Sequence, residues 1–218
     1  QLSGTRNDVV ICTKISLARN VKGFPFTINL SSEEKEEIAR SVETVLSEKL
    51  PEKFHVIPLD QLTQSQVISL AERCLVSPEF ISSFDGRALA MTPDESLSVM
   101  ICEEDHVKLQ ALLPGLELEK TYELADQLDS ILDTSLCFSF DRKLGYLTQC
   151  PTNIGTAMRA SVLLQLPALH IHGRVHQLAN TVSKLGLSLV GAFGSGSDPT
   201  GSLYQLSNRV TLGISEEM

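Results

Sequence analysis

The stretch Ile101-Cys102-Glu103-Glu104-Asp105-His106-Val107-Lys108 places three consecutive carboxylates and a histidine between two apolar segments. Apolar side chains occupy alternate positions over 97–101 and again over 107–111, where Lys108 and Gln110 lie between them. A period of two residues is typical of a β-strand with one buried face. The stretch therefore predicts two neighbouring strands of a sheet, joined by an acidic turn.

Two interpretations of this acidic turn stay open at the level of residue types. Carboxylates held at the edge of a sheet can accept a proton or orient a cationic substrate, because the strands fix their geometry. The alternative is a solvated turn without a chemical role, since exposed carboxylates are common in folded proteins.

The segments on both sides favour an α+β protein with a mainly antiparallel sheet. Ser31 and Glu34 have the spacing of a capping box, ahead of a helix predicted over 32–48. Further helices are predicted over 62–75, 118–132 and 175–185, and one after Cys150 that carries Met158 and Val162. Strands are predicted over 8–11, 87–91, 97–102, 107–112, 136–140, 146–148, 188–193 and 202–210, mostly as hairpins. We expect a single domain over 1–218, because a chain of this length can bury one large core.

The composition limits the partners. The net charge of −9 excludes nucleic acid, because a polyanion needs a positive surface to bind. No apolar run approaches the roughly 20 residues of a membrane helix, and we expect a cytoplasmic protein without a leader. The five cysteines lack metal-ligand spacing, and the histidines at 170, 172 and 176 lack a carboxylate nearby. We therefore predict free thiols and no protein-bound metal.

Several motifs occur in the order in which one enzyme family carries them. They are 8–11 running into Leu17-Ala18-Arg19-Asn20, then Glu103-Glu104-Asp105-His106, then Gly145-Tyr146-Leu147-Thr148 with 150–156, and finally Leu206-Ser207-Asn208 with Leu212-Gly213. With these motifs the chain resembles the ATP:guanido phosphotransferases over nearly its whole length. The local sequence is most similar to that of the bacterial protein-arginine kinases.

The resemblance implies a fold and a site. The fold is a glutamine synthetase-like sheet of about eight antiparallel strands flanked by helices, with nucleotide and guanidinium lying across the sheet. By the resemblance, Glu104 orients the guanidinium and draws off its proton, and Cys150 lies beside the guanidinium at a helix start that would stabilise a thiolate. Arg159 would bind phosphate of Mg-ATP. Such residues suit phosphoryl transfer, which requires a neutralised polyphosphate and an aligned acceptor.

Five positions depart from the family's pattern. Lys14, Ser16, Lys108 and Val190 stand where the family has phosphate-binding arginines, and Ser195 replaces a second substrate carboxylate inside a loop predicted to be mobile over 194–201. Arginine grips two phosphate oxygens at once, whereas lysine is only a point charge. Removing one preorganised donor typically lowers a rate roughly 10²- to 10³-fold. We therefore expect catalysis to be lost or very weak, with weak nucleotide binding through the two lysines left open.

Three functions follow in order of preference. The first is a degenerate protein-arginine kinase domain, a pseudokinase with a binding or regulatory role. The second is an active protein-arginine kinase in which Lys14, Lys108 and Arg159 suffice. The third, a phosphagen kinase for a small guanidino compound, is opposed because the extra N-terminal helical domain of those enzymes is not in this sequence.

The resemblance also extends to partners. It implies protein partners, among them a zinc-containing activator protein and an ATP-dependent protease system, and it allows a homodimer. Protein-arginine kinases carry a helical C-terminal region that dimerises and recognises phosphoarginine. We expect that region to be absent from this chain, because Met218 falls near the expected close of the catalytic domain.

Overall fold

The computed structural model describes residues 4–50, 53–77, 79–192 and 200–216. The strands in these residues are β1 (Val10–Arg19), β2 (His55–Pro58), β3 (Ala88–Met91), β4 (Leu97–Ile101), β5 (Val107–Pro114), β6 (Phe140–Asp141), β7 (Gly145–Tyr146), β8 (Met158–Gln165), β9 (Leu187–Gly191) and β10 (Leu203–Asn208). The α-helices are α1 (Ser32–Lys49), α2 (Gln64–Glu72), α3 (Leu118–Leu136), α4 (Pro167–Ile171) and α5 (Val175–Ser183).

Eight of the strands form one sheet in the order β2-β3-β4-β5-β1-β8-β10-β9, and every neighbouring pair is antiparallel. The prediction of an α+β protein with about eight antiparallel strands is confirmed. Strands β6 and β7 form a separate small hairpin. None of the helices in the described ranges is long and apolar enough to cross a membrane.

The central strand β1 shows how the sheet separates two environments. Ile15 and Leu17 are buried in the main core, whereas Lys14 and Ser16 point to the opposite face. The predicted alternation in β5 is confirmed in the same way, because Leu109 lies in the core and Lys108 on the other face. Successive side chains of a strand point to opposite faces, so one face is apolar and the other carries polar groups.

Helices α1 and α3 close the apolar face, and α2 covers part of the other. The capping box at the start of α1 is confirmed: Glu34 N–H donates to Ser31 Oγ (3.2 Å) and Ser31 N–H donates to Glu34 Oε2 (2.8 Å). Thr63 and Gln66 form a second capping box, so α2 begins at Gln64 and is shorter than predicted. The space beside α2 stays open above the centre of the sheet.

The structure corrects two predictions and adds one strand. Residues Met158–Gln165 are strand β8, not a helix, because they are hydrogen-bonded between β1 and β10. A short apolar run does not distinguish a buried strand from a helix. Strand β1 continues to Arg19, whereas the predicted strand ended at Ile11. Strand β2 was not predicted: it is a four-residue edge strand that ends in Pro58, a residue found at sheet edges.

Candidate active site

A cavity of about 540 Å³ lies on the face of the sheet opposite α1 and α3. Alternate residues of β1 and β5, four residues of β8 and Gln205 of β10 form its floor. Helix α2 and the segment after it form a wall, and the acidic turn 103–105 closes one end. The described lining residues with a charge or a thiol are Cys12, Lys14, Glu72, Cys74, Glu79, Glu103, Glu104, Asp105, Lys108 and Arg159.

Four residues singled out from the sequence share this lining with Glu104: Lys14, Ser16, Lys108 and Arg159. The strand register brings them together, because Ser16 on β1 is opposite Arg159 on β8. On the other side of β1, Ala18 is opposite Lys108 on β5. Residues from three separate motifs thus meet on one patch of the sheet.

Asp105 holds the acidic turn against two other segments. Its Oδ1 atom accepts hydrogen bonds from Asn20 Nδ2 (2.6 Å) and from the backbone N–H of Gln149 (2.8 Å). Burial raises the pKa of Asp105, and these two hydrogen bonds oppose that rise. The turn is therefore fixed both to the end of β1 and to the segment that leads to Cys150.

His106 fixes the turn from its other end. Its Nδ1 accepts a hydrogen bond from the Val21 N–H (3.0 Å), so Nε2 carries the proton and donates it to the Pro25 carbonyl (2.7 Å). Burial lowers the pKa of His106. The neutral imidazole is thus the form that can accept from the Val21 N–H and donate to the Pro25 carbonyl at the same time.

The carboxylates beside Asp105 differ in role. Glu103 is buried, its Oε2 lies 2.8 Å from Lys108 Nζ, and its Oε1 accepts a hydrogen bond from Ser77 Oγ (2.5 Å). Glu104 is exposed to the cavity. Its pKa is raised by partial burial and by the like charges of Asp105 and Glu103, with Lys108 opposing. A raised pKa improves a carboxylate as a proton acceptor near neutral pH.

Lys14 and Arg159 supply positive charge on the floor. Burial lowers the pKa of Lys14, and the nearby Lys108 and Arg159 act in the same direction. Arg159 Nη2 lies 3.5 Å from Asn153 Oδ1. Within the described ranges, neither Lys14 nor Arg159 forms an ion pair with a carboxylate. Both charges are therefore open to an anionic ligand, whereas that of Lys108 is engaged by Glu103.

Cys150 lies at the edge of the site and is not in the cavity lining, although Asn153 is. Its Sγ is 3.0 Å from Thr152 Oγ1, and it precedes a three-residue 3₁₀ helix, Pro151–Asn153. The predicted long helix after Cys150 is wrong. A single 3₁₀ turn does not build up the dipole on which the predicted thiolate stabilisation rested.

Of the two remaining departing positions, Val190 is not part of the described cavity lining. Val190 pairs with Gln205, a lining residue, but sits on the edge strand β9 with 52% of its surface exposed. Ser195 lies outside the described residues, as does the loop predicted to be mobile apart from positions 200 and 201. The described lining carries three cations and five carboxylates, a formal charge of −2.

Arg19, which belongs to one of the motifs, serves the fold and not the cavity. It is fully buried on the other face, where Nε and Nη2 donate to Asp129 (3.0 and 2.8 Å) and Nη2 also lies 2.9 Å from Glu216 Oε1. Its Nη1 donates to the Thr156 carbonyl (3.0 Å), and its guanidinium stacks on the Tyr146 ring at 3.5 Å. Arg19 therefore joins β1, α3 and the C-terminal segment behind the floor.

Sequence reasoning missed the acidic wall and the contacts that orient the turn. Glu72 and Glu79 line the cavity from the α2 side, and Ser77 hydrogen-bonds Glu103 across 26 positions of sequence. Asn153 contacts Arg159. The alternation of apolar and polar residues in β1 is a signal that could have assigned its side chains to the two faces, but no local pattern indicates contacts between distant segments.

Comparison with known proteins identifies the family. Residues 37–218 match the family described as ATP:guanido phosphotransferase, C-terminal catalytic domain. The protein-arginine kinase of Clostridium acetobutylicum is 43% identical over 212 residues, covering 96% of this chain and 62% of that protein. The protein-arginine kinase of Halothermothrix orenii is 40% identical over 214 residues, covering 98% and 61%. The chain thus spans about three fifths of the length of these relatives.

Solved structures agree on the fold. The duplicated taurocyamine kinase of Schistosoma mansoni with bound transition-state-analogue components superimposes with a TM-score of 0.85 at 28% identity, covering 97% of this chain and 31% of that one. Lombricine kinase superimposes with a TM-score of 0.83 at 22% identity, covering 99% and 63%, which supports the fold alone. The family match spans most of the chain and relatives near 40% identity agree with it, so this chain belongs to the ATP:guanido phosphotransferase family.

Proposed function

We propose that this chain is a protein-arginine kinase domain that transfers the γ-phosphoryl group of Mg-ATP to arginine side chains of proteins, at a low rate. The observation that carries the proposal is the polarity of the cavity. Glu104 stands at an acidic end that suits a cation, and Lys14 and Arg159 stand on a basic floor that suits a polyanion. The relatives named protein-arginine kinase support the same substrates.

The proposed reaction assigns each group a task. A terminal nitrogen of the target guanidinium attacks the γ-phosphorus, and the bond from that phosphorus to the leaving oxygen of ADP breaks. The proton on the attacking nitrogen passes to Glu104, whose raised pKa suits it as the acceptor. Lys14 and Arg159 neutralise the phosphates, while Mg²⁺ arrives with the nucleotide. Cys150 borders the guanidinium end.

The low rate follows from the residues at the positions where the family binds the phosphates of the nucleotide. Ser16 offers at most one neutral hydrogen bond where the family places an arginine, and Lys108 is engaged by Glu103. Val190 supplies no charge at all. Because the described lining has a formal charge of −2, the site attracts a guanidinium more readily than a polyphosphate.

The same observations favour a second candidate function, in which the domain binds arginine side chains but transfers no phosphate. In that pseudokinase the acidic end around Glu104 binds the guanidinium, and the floor around Lys14 and Arg159 binds no nucleotide. Ser16, placed opposite Arg159 in the strand register, is the specific residue that favours it.

A transfer assay separates the two functions. The chain is incubated with labelled ATP, Mg²⁺ and an arginine-rich unfolded protein, and acid-labile phosphate is measured. We expect transfer that disappears in Glu104→Gln. We also expect it to be at least about 100-fold slower than in a restored variant that combines Lys14→Arg, Ser16→Arg, Lys108→Arg, Val190→Arg and Ser195→Glu. The five changes are made together, since groups that act as a unit are not additive.

Each remaining result has a definite meaning. Transfer by the restored variant alone, together with binding of an arginine peptide by the unaltered chain, would support the binding-only function. Absence of transfer in both proteins, together with no binding of an arginine peptide, would contradict both candidates.

A further inference from the structure

The segment 24–29 is hydrogen-bonded to His106, next to the acidic turn, and to Gln149, next to Cys150. On one side the Pro25 carbonyl accepts the Nε2 proton of His106 (2.7 Å), two residues after Glu104. On the other side the Ile28 N–H donates to Gln149 Oε1 (2.9 Å), and Gln149 is the residue before Cys150. The backbone of this segment is thus bonded to both elements that border the proposed arginine site.

Two large apolar side chains of this segment are exposed, one partly and one largely. Phe26 is 38% exposed and Ile28 is 77% exposed. The backbone between them is ordered by a 3₁₀ turn in which the Asn29 N–H donates to the Phe26 carbonyl (2.8 Å). A single exposed apolar residue is ordinary. Here, however, one short segment that is hydrogen-bonded to His106 and Gln149 carries two such side chains, and we call Phe26 and Ile28 the apolar rim.

We propose that the apolar rim contacts residues next to the target arginine in a protein substrate, so that the site selects arginines with an apolar neighbour. The inference rests on the proposed function and names a narrower substrate class for the same site. An arginine that enters the cavity brings its chain neighbours with it, each within roughly 3.5 Å of chain length per residue. Their apolar side chains would leave water against the rim, which is favourable.

The acidic turn and the apolar rim would contact chemically different parts of the substrate. The acidic turn accepts the guanidinium and offers nothing to an apolar side chain, whereas the rim carries no charge and discriminates only among the neighbours. A peptide with polar residues around its arginine would occupy the cavity without using the rim.

Peptide binding tests the inference without requiring catalysis. Two fluorescently labelled nine-residue peptides are used, one with a central arginine between leucines and one with a central arginine between serines. We expect the leucine-flanked peptide to bind at least about tenfold more tightly by fluorescence anisotropy. Phe26→Ser and Ile28→Ser should each remove most of this preference and leave the affinity for the serine-flanked peptide unchanged.

The matched control is Ile171→Ser, because Ile171 on α4 is 78% exposed and lies far from this segment in sequence. Equal affinity of the two peptides, or equal losses in Ile28→Ser and Ile171→Ser, would overturn the inference. Glu104→Gln tests the proposed function separately, since it should weaken the binding of both peptides to the same extent. If neither peptide binds the unaltered chain, the proposed function fails and the rim inference fails with it.

Discussion

The fold holds the buried His106 in its neutral form, because its Nδ1 accepts from the Val21 N–H and its Nε2 donates to the Pro25 carbonyl. Its pKa is lowered by burial, so the unfolded chain takes up a proton before the folded chain does as the pH falls. The contribution to stability is therefore complete above the ordinary imidazole pKa of about 6.5 and is lost as the pH falls toward the lowered pKa. We expect the free energy of unfolding in urea to decrease as the pH falls below about 6.5.

Substitution identifies the residue responsible. His106→Gln should reduce stability at pH 7 and flatten the dependence on pH over that range. His172→Gln changes an exposed imidazole and should leave the wild-type dependence in place. An unchanged slope in His106→Gln would assign the effect to other groups.

At the scale of elements, the turn that carries Asn153 depends on close backbone packing. Gly155 has φ +116°, and a Cβ atom there would overlap the carbonyl oxygen of Thr211. The same carbonyl accepts the Thr156 N–H (2.9 Å), and the Gly155 carbonyl accepts the Tyr146 N–H (2.8 Å). Strand β7, this turn and the segment at 211 are therefore joined through their backbones.

We predict that Gly155→Ala lowers the free energy of unfolding by about 3 kcal/mol or more, since a strained backbone alone costs about 1–3 kcal/mol. The measurement is urea unfolding followed by circular dichroism. Gly213→Ala is the control, because Gly213 also has a positive φ (+80°) but open space around its Cβ position. Equal losses in the two variants would mean that backbone strain, and not the overlap, sets the cost.

At the scale of the whole molecule, the sheet divides a closed face, packed by α1 and α3, from an open face with the cavity. A charge should therefore affect nucleotide binding according to the face on which it lies, despite the net charge of −9. We predict that Ser16→Arg binds Mg-ATP at least about tenfold more tightly than the unaltered chain, because a charge-assisted pair replaces a neutral contact.

Titration calorimetry measures this affinity. Ser47→Arg makes the same substitution on an exposed position of α1, across the sheet from the cavity, and should change the affinity little. Similar gains in the two variants would show that overall charge, and not the geometry of the site, governs nucleotide binding.

Much of the fold could be predicted because its signals are local. The alternation around the acidic turn placed β4 and β5, and the Ser31 capping box placed the start of α1. Such patterns reflect contacts made within a few residues, which a single segment carries whatever the rest of the chain does. The family resemblance added the sheet of about eight strands and brought Glu104, Lys14 and Arg159 forward as site candidates.

The remaining features depend on partners distant in the chain. Met158–Gln165 is a strand because β1 and β10 bond to it on both sides, and its apolar run alone did not reveal that. Lys108 is engaged by Glu103, and Cys150 stands outside the cavity lining, through the way the acidic turn and the loop before β8 fold together. The apolar rim, too, became visible only when Pro25 and Ile28 were seen bonded to His106 and Gln149, because no sequence pattern encodes a contact across more than 80 positions.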